Sequence, residues 1–426
     1  MGKLISISII FMISLFTCQE SNLSSNENRT ELEQKYNGSL IDLINFFDEF
    51  AYASESGVYL SEISNRGKVL SNKVFNVALS RLIYGLSFGS SIDEKYLEKA
   101  EKSSQFQLKH LTGKDSIGNY FISYYDIKAK QADSSNTFDI WQQAYGLCGL
   151  TELYRNNNDK TLLNKIHEYH DGFVNRFHDK THGGFYGNYE TKFGQISGSK
   201  SLQSLMYPIT AYMENLWRTD VKNRSKYEVH LKENLEILAK NCWNKELGWV
   251  NIKLDDKWNP CQHESVESPC FNVAPGHNFQ LASLLLRTKD WPFLTQIEKL
   301  KYKNLGLEIL NATLKKSAIP DKKLSQGFYS EVNPMNDSIL DNRKTWWQHC
   351  EALLSLSLAG EIYNEEIIEL EQFYFNSFPD KVNGGEFFFL DSINRPQTDI
   401  PKGSIGKSIY HTSEMIKFLN NESAHN

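Results

Sequence analysis

A chain of 426 residues with 40% hydrophobic and 23% charged residues and a mean hydropathy of −0.48 is neither a disordered chain nor a polytopic membrane protein. Its 46 Lys and Arg against 52 Asp and Glu give a formal charge of −6 with no basic block, so nothing draws it to a phosphate backbone and nucleic acid is excluded as a partner. Length alone suits two or three domains, and the aromatic share of 13%, with 25 Phe, 21 Tyr and 8 Trp, has to be placed within them.

The chain opens with Lys3, an apolar or small-residue stretch from Leu4 to Leu15, and the ending Leu15-Phe16-Thr17-Cys18. This is too short to span a membrane and predicts a cleaved signal peptide over residues 1–17. The ending resembles a bacterial lipoprotein box, which implies lipidation of Cys18. An ordinary secretory leader with an incidental cysteine is the alternative. Residues 18–35, rich in Ser, Asn and Glu without apolar periodicity, predict a flexible tether. Gln19 in place of an aspartate favours an outer membrane, so a lipid-anchored protein of the bacterial cell envelope is expected. Of the later cysteines, Cys148, Cys242 and Cys350 sit in apolar, helix-like contexts and read as small buried hydrophobes. Cys261 and Cys270 flank a loop where export would permit a disulfide, and an unbridged pair is the alternative. His263, Glu264 and Glu267 on that loop resemble metal ligands only loosely, so a solvated loop is expected, with no metal and no cofactor.

Helical spacing of apolar residues predicts helices over Leu40–Tyr52, Asn72–Ser87, Asp139–Asn156, Leu162–Phe177, Leu202–Trp217, Val229–Cys242, His277–Arg287, Leu305–Lys316, Trp346–Tyr363 and Ile367–Phe378. A further helix follows Tyr410 and His411, and strand alternation is nearly absent. Between helices, a glycine followed by a ring or bulky residue keeps returning: Gly57-Val58-Tyr59, Gly118-Asn119-Tyr120-Phe121, Gly184-Phe185-Tyr186, Gly248-Trp249, Gly327-Phe328-Tyr329 and Gly385-Glu386-Phe387. The steps of 61, 66, 64, 79 and 58 residues are too long for common solenoid repeats but fit a helix pair with one structured loop. Six pairs predict an all-α, (α/α)6 barrel over residues 36–421, with a short tail at 422–426, and the glycine-aromatic corners gathered at one end around a cleft. Helical hairpins with plain glycine C-caps are the simpler alternative.

Three late segments set polar groups on apolar helices. His277 and Gln280 share a face at a helix start; Trp347 and Glu351, four apart, share another behind the tandem Trp346-Trp347; Tyr410 and His411 open the last helix. Arg81 is the sole arginine of its apolar helix. Histidine suits proton transfer in both directions because it titrates near neutrality.

These segments and corners together resemble the N-acylglucosamine 2-epimerase and cellobiose 2-epimerase superfamily, over roughly Phe47 to Leu419. The family's Gly-His-x-x-Glu is matched by Gly276 to Gln280, its Lys-x-Trp-Trp-x-Gln-x-Glu by Lys344 to Glu351, its Trp-Lys-x-x-Tyr-His-x-x-Arg by Gly406 to Glu414, and its inner-helix arginine and serine by Arg81 and Ser87. The resemblance implies an (α/α)6 barrel that works on a reducing sugar without metal or nucleotide. His277 and His411 would be the acid–base pair acting through a cis-enediolate, Arg81 would stabilise the enediolate oxygen, and Glu351 would bind a hydroxyl or help open the ring. Trp346 or Trp347 would offer a flat face to the sugar, with Gln280, Tyr207, His349 and Tyr410 as further contacts. Gln280 stands where the family has glutamate and would orient His277. Gln203-Ser204-Leu205-Met206-Tyr207 replaces Asn-Thr-His-Leu-His, His349-Cys350-Glu351 replaces Gln-Ala-Glu, and Glu414 a final arginine. These departures keep two other readings open. One is a glycoside hydrolase or polysaccharide lyase using paired carboxylates drawn from Glu331, Glu351, Glu386 and Glu414; the other is a non-catalytic glycan-binding lipoprotein.

Overall fold

The computed structural model describes residues 31–135, 137–190, 198–261 and 272–422, and within them the chain alternates between two rings of helices. The outer ring holds α1 (residues 31–50), α3 (Lys95–His110), α5 (Lys160–Phe177), α8 (Arg224–Asn241), α10 (Gln296–Leu314) and α12 (Asn364–Ser377). The inner ring holds α2 (Asn76–Gly89), α4 (Ile140–Asn157), α6 (Leu202–Pro208) continued by α7 (Glu214–Thr219), α9 (Pro275–Arg287), α11 (Trp346–Ala359) and α13 (Tyr410–Glu422). The last inner helix packs against the first, α13 on α2, which closes the (α/α)6 barrel. Residues 1–30, with Cys18, and residues 262–271, with Cys270, His263, Glu264 and Glu267, lie outside the described residues. The first helix starts at residue 31, five residues before the expected edge of the tether.

Inner helices lie between the axis and the outer ring, so they are buried nearly all round rather than along one stripe. Every residue of α2 is buried. Outer helices bury one stripe, and in α3 that stripe is Tyr96, Ala100, Ser103, Ser104 and Gln107. Gln107 is there to stitch rings together, donating to Asn76 Oδ1 at 2.9 Å and Gly146 O at 2.8 Å. A polar inward face leaves no apolar period, which is why α3 is absent from the expected helices. The start of α10 at Gln296, nine residues earlier than expected, is set by a capping box between Thr295 and Glu298. Lys73–Phe75, expected in a helix, is a strand paired with Tyr124–Asp126. The helix expected over Trp346–Tyr363 stops at Gly360, whose φ of +97° breaks it. Between α6 and α7 a π turn, Ile209–Met213, follows Pro208, which has no N–H to give the preceding turn.

Each corner follows an outer helix and precedes an inner one, so all six sit at the end where the inner helices begin. Gly57, Gly118, Gly184, Gly248, Gly327 and Gly385 all have positive φ, the left-handed or extended-left backbone that favours glycine. The corner rings do not face the cleft as expected. Tyr59, Phe121, Phe185, Trp249, Phe328 and Phe387 are buried, wedged between the two helix rings, as Phe121 is against Tyr169 at 4.7 Å.

Acids and cations finish the corners. Asp115, Asp179 and Asp380 each accept two backbone N–H groups from the turn they open. Each also meets a cation nearly sealed from water: Arg176, Lys200 at 2.5 Å and Lys402 at 2.7 Å respectively. Lys344 serves the fifth corner with neutral partners, Gln326 O and Asn394 Oδ1. At the far end of the inner ring Arg287 bridges Glu214 and Glu414, both at 3.3 Å.

Two glycines of like φ separate backbone preference from crowding. A Cβ on Gly384 meets nothing closer than 3.7 Å, whereas on Gly327 it meets the Phe373 ring at 2.3 Å and His349 Nε2 at 2.7 Å. Gly384→Ala is expected to cost about 1–2 kcal/mol from backbone conformation alone, and Gly327→Ala about 3–5 kcal/mol with overpacking added, read from urea midpoints.

Candidate active site

Burial along the inner helices is broken in only a few places near their starts. In α4 the break is Trp141, in α6 it is Gln203 and Tyr207, in α9 it is His277, and in α11 before its last residue it is Trp347. All but Gln203 line one cavity of about 280 Å³, together with Arg81, Tyr145, Gln280, Trp346, Phe388 and His411. The inner helices thus converge their first two turns on a single hollow.

Trp347 lies against both histidines, with its ring centroid 5.4 Å from His277 and 5.8 Å from His411. The approach of α9 to α11 that makes this contact requires Gly276, where a Cβ would fall 2.8 Å from the Trp347 ring. Gly276 N–H also donates to Gln348 Oε1 at 2.8 Å. His411 Nδ1 bonds Glu351 Oε1 at 2.8 Å, and Gln280 Nε2 donates to the same oxygen at 3.1 Å. With Nδ1 engaged, the His411 tautomer leaves Nε2 with its lone pair. His277 Nε2 lies 3.3 Å from Gln203 Nε2, and its Nδ1 is shut from solvent without a partner.

Electrostatics separate the two rings. Burial lowers His277 to about 4, with Glu351 only partly opposing it. Burial also lowers His411, against the raising effect of its bond to Glu351. Burial alone would raise Glu351, but the bond and charge of His411, the Gln280 amide and Arg287 hold it below the usual carboxylate value. At neutral pH the site therefore holds two uncharged imidazoles and one carboxylate. Arg81 supplies the positive charge: its Nη1 donates to Gly406 O at 2.6 Å and its guanidinium lies 4.0 Å from the Tyr145 ring centre, with Tyr410 and Trp141 beyond.

Most residues singled out in the sequence meet here, but several do other work. Gln280 braces Glu351 rather than His277. Trp346 is buried, with Lys407 Nζ 3.9 Å over its ring, so Trp347 is the tryptophan with an open face. Tyr410 lies beneath the hollow, its hydroxyl donating to Thr210 O at 3.1 Å. His349 is fully buried outside the hollow, stacked 4.0 Å on Phe328. Its Nδ1–H donates to Thr345 O at 2.6 Å and its Nε2 accepts from Phe328 N–H at 3.1 Å. Arg81 does not pair with Glu351. Sequence reasoning missed Trp141, Tyr145, Gln203 and Phe388; the spacing of Trp141 and Tyr145, four apart at a helix start, was the available signal.

The family model for N-acylglucosamine 2-epimerase matches residues 57–414. The chain belongs to this family, one of carbohydrate epimerases and isomerases. Among solved structures it is similar to a cellobiose 2-epimerase from Spirochaeta thermophila, with a TM-score of 0.78 and 16% identity over 94% of this chain and 98% of that one. It is similar to a D-mannose isomerase, with a TM-score of 0.77 and 17% identity over 91% and 97%. An α-mannanase of glycoside hydrolase family 76 from Bacteroides thetaiotaomicron shares the fold at a TM-score of 0.62 and 11% identity over 93% and 99%. No curated protein sequence matches the chain. In this chain the two motif histidines and Trp347 share one cleft, whereas His349 is part of the barrel wall.

Burial also holds His349 at about 3, so the folded chain cannot take up this proton at mildly acid pH while the unfolded chain can. The stability this group confers is present above its unfolded value of 6.5 and falls as pH drops toward its folded value. His349→Phe is expected to cost about 2–4 kcal/mol at pH 7 for two buried hydrogen bonds, and to flatten the loss of stability below pH 6.5. Urea titrations of both proteins across that range check this.

Proposed function

We propose that this protein moves the C2 proton of a reducing mono- or disaccharide, as a 2-epimerase or aldose–ketose isomerase, with His277 and His411 as the acid–base pair. The observation that carries the reading is the pair of uncharged imidazoles that line one hollow, both against Trp347, one of them fixed by Glu351. In the open-chain sugar, one imidazole takes the proton from C2 and the C2–H electrons move toward C1, pushing charge onto the C1 oxygen to give a cis-enediolate. Arg81, lining the same hollow, stabilises that oxygen. The other histidine, after taking up a proton from solvent, delivers it to the opposite face of C2, which yields the epimer, while the first releases its proton to solvent; return of the proton to C1, with the O2 proton passing to O1, yields the ketose. Trp347 offers an apolar face to the sugar's C–H side, and Glu351 is a positioning residue that sets the His411 tautomer.

The cellobiose 2-epimerase and D-mannose isomerase folds support this substrate class. A hydrolytic reading lacks its carboxylate pair. Among the described residues no Asp or Glu lines the hollow; Glu386 is tied to Lys407 at 2.9 Å and Glu414 to Arg287 at 3.3 Å. The protein is further read as exported and lipid-anchored through Cys18. The leader pattern supports this, and so does the disulfide bonding of Cys261.

Incubation with mannose, glucose, N-acetylmannosamine, cellobiose and mannobiose in deuterium oxide tests the reaction. Deuterium is expected at C2 of one of them, or at C1 of a ketose product. Binding without exchange by any sugar would leave a glycan-binding protein in place of an enzyme. His277→Asn and His411→Asn should each lower exchange by about 10²-fold or more; undiminished rates in both overturn the assignment. In Glu351→Gln the carboxylate that raises His411 is lost, so the acid limb of kcat/KM should move to lower pH while kcat falls.

A further inference from the structure

Away from the cleft, the outer helices bring together a second constellation with no part in the proposed reaction. His178 ends α5, and His230 and Glu233 stand three apart on one face of α8. One ligand atom from each of the three lies within 4.8 Å of the others. His178 Nε2 bonds Glu233 Oε2 at 2.9 Å, and the two imidazole centroids are 4.8 Å apart. Gly184 N–H donates to the same Glu233 oxygen at 2.9 Å, which holds the carboxylate in place. Phe185 covers both imidazoles, at 5.6 and 5.4 Å. His230 Nδ1 is buried with no hydrogen-bond partner.

We propose that His178, His230 and Glu233 form a binding site for a divalent transition ion of the zinc class. Two imidazoles and one carboxylate are the donor set such ions prefer over calcium or magnesium, with a fourth position left for water. The side chains are only partly exposed: 19% for His178 and 31% for Glu233. Small rotamer changes bring the three donors from their present spacing to bonding distance. An ion seated here takes the place of the hydrogen between His178 Nε2 and Glu233, and the ring proton of the neutral His178 moves to Nδ1, so that both imidazoles coordinate as neutral ligands. The Gly184 N–H and the Phe185 ring then act as the surrounding shell that orients the carboxylate and limits water. The consequence is mechanical. The ion ties the end of α5 and the Gly183–Gly184 corner to α8, fixing the segment through which the chain turns toward α6 and Tyr207.

The test uses the whole chain, stripped with chelator and titrated with Zn²⁺ by calorimetry and with Co²⁺ by visible absorption. One equivalent is expected to bind with a Kd below about 10 µM and to raise the melting temperature. His230→Phe keeps the ring packing and removes a ligand. It should weaken binding by at least about 100-fold, with the metal-free melting temperature unchanged. Glu233→Asp, a shorter carboxylate, should weaken binding while retaining a ligand oxygen. Equal uptake by the wild type and His230→Phe, or only millimolar binding by the wild type, overturns the proposal. The His277→Asn variant, which leaves this site whole, should bind the ion as the wild type does; loss of binding there would place the ion in the cleft instead.

Discussion

Everything in this barrel depends on turning the chain six times at the same end. A corner between an outer and an inner helix leaves backbone donors and carbonyls without helical partners, and each must find another. The chain answers with a left-handed glycine, an acid that gathers the turn's N–H groups, and a long cation that reaches the acid or the carbonyls. Lys200, Lys344 and Lys402 are almost wholly buried in this role. Such ammonium groups are costly to desolvate and are tolerated because each has two or more fixed oxygen partners. Lys344, which has no carboxylate, is pushed down by burial to about 8. The corners in turn set where the inner helices start, and the starts of those helices are the site.

That dependence explains what could be read from the chain and what could not. A glycine forced into positive φ leaves a mark that no other residue would leave, so six corners and their period predicted six hairpins and the barrel. Helix α3 was invisible because only Tyr96 and Ala100 of its inward face are apolar; Ser103, Ser104 and Gln107 complete it, and Gln107 is held by hydrogen bonds to two inner helices. The recurrence of rings with glycines points to corners gathered around a cleft. The rings' real partners are nonlocal, the outer helix behind and the inner helix ahead, so the excess of aromatics is mostly wall.

The cleft divides in the same way. His277, His411, Arg81, Trp347 and Tyr207 were named from motif positions and do meet around one hollow. The neighbouring His349 lies two residues from Trp347 on the same helix. Two residues along a helix is more than half a turn, so the second faces the outer ring. The lysines beside the motifs, Lys344, Lys402 and Lys407, are corner and core ties. His178, His230 and Glu233 were never candidates, because their first two members lie 52 residues apart on helices that only the closed ring brings together.

Gln280 decides how the two histidines differ. A glutamate at this position would set a second carboxylate against Glu351, and two like charges at hydrogen-bond distance would share a proton. The amide instead donates to Glu351 Oε1, so Glu351 stays ionised and directs its charge to His411. His277 is left with the Gln203 amide as its hydrogen-bonding neighbour and is held at about 4. Within the proposed reaction this makes the pair unequal. The imidazolium of His411 is stabilised by an adjacent carboxylate, which favours it as the group that accepts the C2 proton. An imidazole as weakly basic as His277 gives a proton up readily once it carries one, which suits it to return. The altered shell thus concentrates the negative charge of the site at His411 and divides the labour of the pair, with His411 as the base and His277 as the acid.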